Sequence, residues 1–171
     1  VLAIGSFKAS CSDTTSTHSL ARAGVLQLSR WGLLDRLRAA GTPVTHTVVF
    51  RYDDNPTMID VSADGDVDGL YSPRRTVLDR ILVDAAIEAG ADVVHGVSVT
   101  GLRSSDGRVT GIDLDIGGER RRVDAAWVIG ADGVRSRVAA QVGAPVIHQD
   151  QVTSSNIYAY WTGLADDVME N

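Results

Sequence analysis

One segment constrains the fold more than any other. The apolar run Ala126–Ile129 leads directly into Gly130-Ala131-Asp132-Gly133 and then into Val134–Arg137. This order predicts a strand, a tight turn and the start of a helix, which brings backbone close to a bound nucleotide. The glycines remove Cβ atoms that would block a ribose or phosphate, Asp132 offers a carboxylate to hydroxyl groups, and Arg135 offers charge to phosphates. Such junctions are common in α/β proteins, so the segment alone does not establish a nucleotide site.

Helical spacing of apolar residues recurs along the chain. The periodicity predicts two helices between Leu20 and Gly41, broken near Trp31-Gly32. It also predicts a long amphipathic helix over Arg75–Ala89, ended by a glycine, and a further helix over Val134–Val142.

Runs of apolar residues bounded by turn residues predict the strands. We expect an antiparallel hairpin, then a polar connection over Ser62–Ser72, and later a three-stranded antiparallel meander. The hairpin strands are Thr45–Tyr52 and Thr57–Val61, and the meander strands are Val97–Leu102, Val109–Ile116 and Arg121–Ile129. Further strands are predicted at Val1–Ile4, Asp92–His95 and Val152–Leu164, with an irregular loop over Ser6–His18. Together these elements predict a mixed α/β fold.

The charge balance argues against nucleic-acid and membrane partners. The chain has 16 Lys and Arg residues against 22 Asp and Glu residues, a net charge of -6, whereas binding to phosphates or anionic lipid selects basic surfaces. No apolar run reaches the roughly 20 residues that cross a bilayer, and no secretion signal opens the chain. Cys11 is the only cysteine, so no internal disulfide forms, and a reducing cytoplasm is the expected location.

Three separated motifs, taken in order, resemble one family. They are Arg22-Ala23-Gly24-Val25-Leu26 with Gly32-Leu33-Leu34-Asp35, then Arg75-Thr76-Val77-Leu78-Asp79, then Gly130-Ala131-Asp132-Gly133-Val134-Arg135-Ser136. Over about Asp13–Leu164 the chain resembles the FAD-dependent aromatic hydroxylases, the single-component flavoprotein monooxygenases that include para-hydroxybenzoate hydroxylase. The resemblance implies a mixed sheet of the FAD/NAD(P)-binding type with an antiparallel meander. It divides the chain into a partial FAD-binding domain over residues 1–150, with a substrate-side hairpin at about 44–72, and the start of a substrate-binding sheet at 151–171.

The resemblance also implies which residues bind the cofactor. Arg22 matches the arginine that reaches the FAD pyrophosphate, and Arg75 matches the position that contacts the ribityl-pyrophosphate part of the flavin. Asp132 and Gly133 match an Asp-Gly motif used on the FAD side and toward the nicotinamide cofactor, and Arg135 follows them at a helix N-terminus. The alternative interpretations are a solvated arginine at a helix start and plain helix capping.

The implied activity is that of an FAD-dependent oxidoreductase. In such relatives NAD(P)H reduces the flavin, and an atom of molecular oxygen is transferred to a small organic substrate, aromatic or not. Because the cofactor carries the chemistry, no catalytic side chain is predicted, and the histidines lack the spacing of a metal site. Flavin-dependent halogenases and geranylgeranyl-reductase-like enzymes share the framework, so halogenation and reduction stay open. The oligomeric state is not predicted.

The sequence departs from the family pattern in three places. It has no Gly-x-Gly-x-x-Gly, it lacks the later Gly-Asp motif, and Gly5 stands where the family carries an acidic residue for the adenosine ribose. We therefore expect a piece of a longer protein. A second interpretation is a non-catalytic α/β remnant or interaction module that no longer binds FAD. His18, and the aromatic residues Tyr158, Tyr160 and Trp161, are weaker site candidates.

Overall fold

The described residues fall into two units. The computed structural model describes residues 1–5, 19–52 and 55–149. We call residues 19–52 and 55–89 the helical unit, and residues 1–5 and 90–149 the meander unit. The predicted loop over Ser6–His18 and the predicted strand over Val152–Leu164 lie outside the described residues, with Cys11, His18, Tyr158, Tyr160 and Trp161.

The predicted helices of the helical unit are confirmed. They are α1 (Arg22–Arg30), α2 (Leu34–Ala39) and α3 (Arg75–Glu88). The break between α1 and α2 lies at Gly32, whose φ of 69° is in the left-handed region that glycine adopts without strain. The Leu33 amide donates across this break to the Leu28 carbonyl at 2.8 Å, so the two short helices stay hydrogen-bonded to each other.

The core of the helical unit is built mainly by α1 and α2. Val25 and Leu37 are completely buried. The other buried members are Leu28, Leu33, Leu34, Val67 and Tyr71, and the apolar stripe of α3 packs on this cluster through Val77, Leu78, Ile81, Leu82 and Ala85. The predicted stripe of α3 is therefore its packing face, since burial of apolar surface drives helix docking.

The hairpin is confirmed, with slightly different bounds. After β2 (Val44–Thr45), strands β3 (Thr47–Tyr52) and β4 (Asn55–Asp60) pair antiparallel along their whole length. The polar connection predicted over Ser62–Ser72 is wrong at one point, because it contains a short strand, β5 (Leu70–Tyr71), that pairs antiparallel with β2. A two-residue strand carries too little alternation to be predicted from sequence.

Tyr71 anchors β5 through its side chain. The ring is 2% exposed, and its hydroxyl donates to both Asp68 carboxylate oxygens, at 2.9 and 3.1 Å. Arg38 Nε donates to the same hydroxyl at 2.9 Å, and Arg38 Nη2 lies 3.1 Å from Asp68 Oδ2. Partial burial raises the pKa of Asp68, but the hydrogen bonds from Tyr71 and Arg38 outweigh it and hold that pKa below its ordinary value.

The meander unit joins a parallel pair to an antiparallel sheet. β1 (Leu2–Gly5) pairs parallel with β6 (Asp92–His95). The meander follows as β7 (Ser98–Ser105), β8 (Arg108–Ile116) and β9 (Glu119–Asp124), with the two turns where the sequence predicts them. Its buried cluster consists of Val97, Ile112 and Leu114, with Ile4, Val99, Leu102, Val123 and Val128 packed around it.

Two elements predicted in this unit are shorter in the structure. The sequence predicts a third meander strand that reaches Ile129, but β9 ends at Asp124, and the last backbone hydrogen bond to β8 runs from the Ala125 amide to the Thr110 carbonyl. Past Ala125 the chain has no further strand partner among the described residues, because β8 begins at Arg108, next to the turn that joins it to β7. The Arg108 side chain donates to the Ala126 carbonyl, and its guanidinium lies over Trp127, 5.7 Å from the ring centre. The helix predicted over Val134–Val142 is the shorter α4 (Arg137–Gln141).

Candidate cofactor-binding site

Arg22 is the first residue of α1 and lines an open cavity. Its Nη1 donates to the Ser62 carbonyl at 2.5 Å, and its Nη2 lies 3.6 Å from Asp64 Oδ2. The side chain is 43% exposed. The cavity has a volume of about 450 Å³ and is otherwise lined by Ala23, Leu26 and residues 64–67. A guanidinium with spare donors beside such a cavity can bind an anion.

Arg75 is the first residue of α3 and is held by its own helix. Its Nε and Nη2 donate to the two carboxylate oxygens of Asp79, each at 2.9 Å. This hydrogen-bonded pair raises the pKa of Arg75, so the side chain stays charged. The pairing fixes one edge of the planar guanidinium and leaves Nη1 as a donor for a further acceptor.

A backbone hydrogen bond ties the starts of these two helices together. The Leu20 amide donates to the Tyr71 carbonyl at 2.7 Å. Arg22 follows Leu20 by two residues and Arg75 follows Tyr71 by four. Neither α1 nor α3 has a side-chain cap at its N-terminus or an acidic residue in its first turn. Each partner of this bridge is therefore followed within four residues by an uncapped helix start that carries an arginine, and such a helix start favours negative charge.

Asp132 caps α4. Its Oδ1 accepts from the Ser136 hydroxyl at 2.5 Å, and its Oδ2 accepts from the Arg137 and Val138 amides at 2.6 and 3.2 Å. The Ser136 hydroxyl in turn accepts from the Ala139 amide at 2.9 Å. This double cap fixes the helix start at Arg137 rather than Val134. A carboxylate oxygen has two lone pairs, so Oδ1 keeps one for a ligand hydroxyl.

The neighbours of Asp132 are exposed. Gly133 has a φ of 82°, which a side chain would strain. Arg135 is exposed and forms no hydrogen bond or ion pair with any residue in the described part of the chain. The predicted site residues are divided between the two units. Arg22 and Arg75 belong to the helical unit, and Asp132, Gly133 and Arg135 belong to the meander unit.

Gly130 has a packing role that the sequence did not reveal. A Cβ atom built on it would lie 2.7 Å from both Cβ and Cγ1 of Val138 in α4. We expect Gly130→Ala to destabilise the meander unit by about 1–3 kcal/mol, because α4 must move away. Urea unfolding followed by circular dichroism measures this. The matched control is Gly101→Ala, whose Cβ would meet nothing closer than 3.9 Å; equal losses in the two variants would contradict the assignment.

The cap at Asp132 predicts a pH dependence. The Ser136 hydroxyl, with the Arg137 and Val138 amides, holds the pKa of Asp132 below its ordinary value of 3.8. A lowered folded-state pKa means that the cap contributes fully above pH 3.8 and is lost as the pH falls through the folded value. We expect the amide NMR shift of Arg137 to titrate with a midpoint below 3.8. The Asp132→Asn variant should lack this step, and a midpoint above 3.8 would refute the cap.

Two further observations bear on the site. Within residues 1–5, 19–52 and 55–149, no group of three or more His, Cys, Asp or Glu side chains could hold a metal ion. Among the helices described, none has the length and apolar character needed to pass through a bilayer.

The sequence reasoning missed Asp64, the carboxylate that faces Arg22. It lies 42 residues from Arg22 in a segment predicted only as a polar connection, and the sole local signal is the Asp-Gly pair at the turn.

Gly5 pairs with His95 in the parallel sheet, and a Cβ there would lie 3.3 Å from His95 Nδ1. An acidic side chain at position 5 would therefore crowd that histidine.

Comparison with known proteins decides the family. Residues 11–165 match the family described as "FAD binding domain". The chain belongs to the FAD binding domain family. The match covers all three motifs, and the mixed α/β fold predicted from them is confirmed.

Proteins similar to this chain include different enzymes. It is 29% identical over 133 residues to digeranylgeranylglycerophospholipid reductase 2 of Methanopyrus kandleri, an alignment over 78% of this chain and 30% of the reductase. Among solved structures, PqsL, a probable FAD-dependent monooxygenase from Pseudomonas aeruginosa, has a TM-score of 0.70 and 16% identity over 88% of this chain and 40% of PqsL. CmlS, a flavin-dependent halogenase, has a TM-score of 0.70 and 22% identity, over 83% of this chain and 26% of CmlS. The matched region thus spans less than a third of the reductase. PqsL and CmlS share the fold of this chain.

Proposed function

We propose that this chain is the FAD-binding part of an FAD-dependent oxidoreductase. The single observation that carries the proposal is the family match over residues 11–165. We propose further that Arg22 and Arg75 contact the pyrophosphate region of FAD, and that Asp132, Gly133 and Arg135 bind the cofactor from the meander unit. What supports these roles is the geometry within each unit: arginines at uncapped helix starts, and a carboxylate beside bare backbone.

The donors present suit the cofactor. A diphosphate needs fixed cationic donors, and Arg22 and Arg75 are each held on one edge by Ser62 or Asp79 while keeping further N–H groups. The free lone pair of Asp132 Oδ1 suits a ribose or ribityl hydroxyl. When bound, FAD would supply the electron transfer. The role of the protein residues is to bind and orient it.

The proposed reaction is an oxygen transfer to a small organic substrate, with NAD(P)H as the reductant and molecular oxygen as the second substrate. The resemblance of the three motifs to the single-component monooxygenases supports it. We also propose that the hairpin of β3 and β4 lies on the substrate side and that residues 151–171 begin the substrate-binding sheet. The single cysteine supports a cytoplasmic location.

A second candidate reaction is reduction of an isoprenoid chain. It is favoured by one specific observation: the sequence relatives include digeranylgeranylglycerophospholipid reductases, one of them 42% identical over 73 residues. The two candidates differ in their need for oxygen. NAD(P)H oxidation that requires oxygen and yields a hydroxylated product supports the oxygen transfer. Formation of a reduced isoprenoid product under strict anaerobiosis supports the reduction.

Direct titration with FAD tests the shared part of both candidates. We expect purified chain to bind added FAD, measured as a change in flavin fluorescence and as yellow colour retained after gel filtration. FAD mixed with an unrelated protein of similar charge is the control for nonspecific retention. Colourless protein that leaves the fluorescence of added FAD unchanged would refute the proposal and favour a non-catalytic module.

A further inference from the structure

We infer that Asp64 sets the affinity of Arg22 for a diphosphate by competing with it for the guanidinium. The inference rests on the proposed function, because it concerns the same arginine. In the structure Arg22 Nη2 lies 3.6 Å from Asp64 Oδ2, while Nη1 is hydrogen-bonded to the Ser62 carbonyl. A carboxylate thus stands where an anionic ligand of Arg22 would bind.

The backbone holds Asp64 in this position. Asp64 and Val67 exchange backbone hydrogen bonds, at 2.9 Å from the Asp64 amide and 3.1 Å from the Val67 amide. The turn between them contains Gly65 with a φ of 57°, and the Val67 side chain is 3% exposed in the core of the helical unit. The Ser29 hydroxyl of α1 donates to Asp66 at 3.0 Å. The turn is therefore attached to the helix that begins with Arg22.

The contact between the two charges is weak enough to be displaced. A charged hydrogen bond between nitrogen and carboxylate oxygen is about 2.7–2.9 Å long, and the observed separation is 3.6 Å. The Asp64 side chain is 86% exposed, so water screens the attraction. A diphosphate carries more charge than one carboxylate and can replace it at Nη2. The bond from Nη1 to Ser62 keeps the guanidinium in place during the exchange.

Asp64 also opposes the ligand directly. A phosphate bound to Arg22 Nη2 would lie within a few ångströms of the carboxylate, where like charges repel. The cavity beside Arg22, about 450 Å³ in volume, is large enough for a diphosphate and is lined by both Asp64 and Asp66. Of these two acids, only Asp64 pairs with Arg22. Asp64 therefore acts as a specificity-determining residue that only a strongly anionic ligand overcomes.

Titration with inorganic pyrophosphate tests the inference separately from FAD binding. The NMR signal of the Arg22 Nε–H reports pyrophosphate at this arginine in the native chain, in Asp64→Asn and in the matched control Asp66→Asn. We expect Asp64→Asn to bind pyrophosphate about two- to fivefold more tightly than the native chain, the range that an exposed ion pair supplies. Asp66→Asn should change the affinity less than Asp64→Asn does. By isothermal titration calorimetry, which needs no signal from Arg22, the double variant Arg22→Ala/Asp64→Asn should show no gain in pyrophosphate affinity over Arg22→Ala.

The outcomes separate the two proposals. Equal pyrophosphate affinity in the native chain and in Asp64→Asn, equal gains in Asp64→Asn and Asp66→Asn, or no binding in either the native chain or Asp64→Asn would overturn the inference. Tighter pyrophosphate binding by Asp64→Asn alone, in a chain that fails to bind FAD, would support the role of Asp64 and refute the proposed function. Unchanged melting temperatures of both single variants confirm that the fold is intact.

Discussion

Arg22→Ala is expected to weaken FAD binding by about five- to 150-fold. A hydrogen bond to a charged group contributes about 1–3 kcal/mol, and 1.4 kcal/mol is a factor of ten in affinity. Arg22 offers several donors from the start of an uncapped helix, so its loss removes both the bonds and a full positive charge. Fluorescence titration of FAD into the native chain and the variant measures the change.

Two further variants make the Arg22 result specific. Arg22→Lys keeps the charge but loses the planar fork, so an intermediate affinity is expected. Arg30→Ala is the matched control, because Arg30 is an exposed arginine at the other end of the same helix. A native FAD affinity in Arg22→Ala, or an equal loss in Arg30→Ala, would show that Arg22 has no special role in cofactor binding.

Leu37→Ala is expected to destabilise the helical unit by about 2–5 kcal/mol. Leu37 is completely buried in the cluster formed by α1 and α2, and truncation removes apolar contacts and leaves a cavity. Since the whole stability of a domain is about 5–15 kcal/mol, the loss is a large fraction of it. Urea unfolding followed by far-ultraviolet circular dichroism gives the difference in unfolding free energy.

The matched control for Leu37 is Ile87→Ala in α3. Ile87 is 52% exposed, so the same reduction in side-chain size should cost less than about 1 kcal/mol. A loss below 1 kcal/mol in Leu37→Ala, or equal losses at the two positions, would show that the cluster of α1 and α2 is not the core of this unit.

The sequence predicts the elements with long, regular patterns. α3 and the meander repeat their periods over many residues, and the turns of the meander carry glycines, so their positions follow from local chemistry. β5 depends on pairing with β2, which is distant in the chain, and β9 ends where its neighbour β8 approaches the preceding turn. Their bounds are set by tertiary contacts that no local pattern encodes.

The candidate site is predictable to a similar degree. The motifs place Arg22 and Arg75 at helix starts, and the structure has both arginines as first helical residues. The capping alternative for Asp132 is visible in the sequence as an Asp four residues before a Ser. The pairing of Arg22 with Asp64 is not predictable from the sequence, because the two residues are 42 positions apart and meet only through the tertiary fold.

The hydrogen bond from Leu20 to Tyr71 has a consequence for how this region tolerates change. Both partners are main-chain atoms, so substitutions at these positions that keep the backbone amide also keep the bond. The bridge between the segments that precede α1 and α3 therefore depends on the polypeptide backbone rather than on side-chain identity. Sequences that diverge widely in this region can therefore keep the bridge, and they keep two cationic helix starts where an arginine begins each helix.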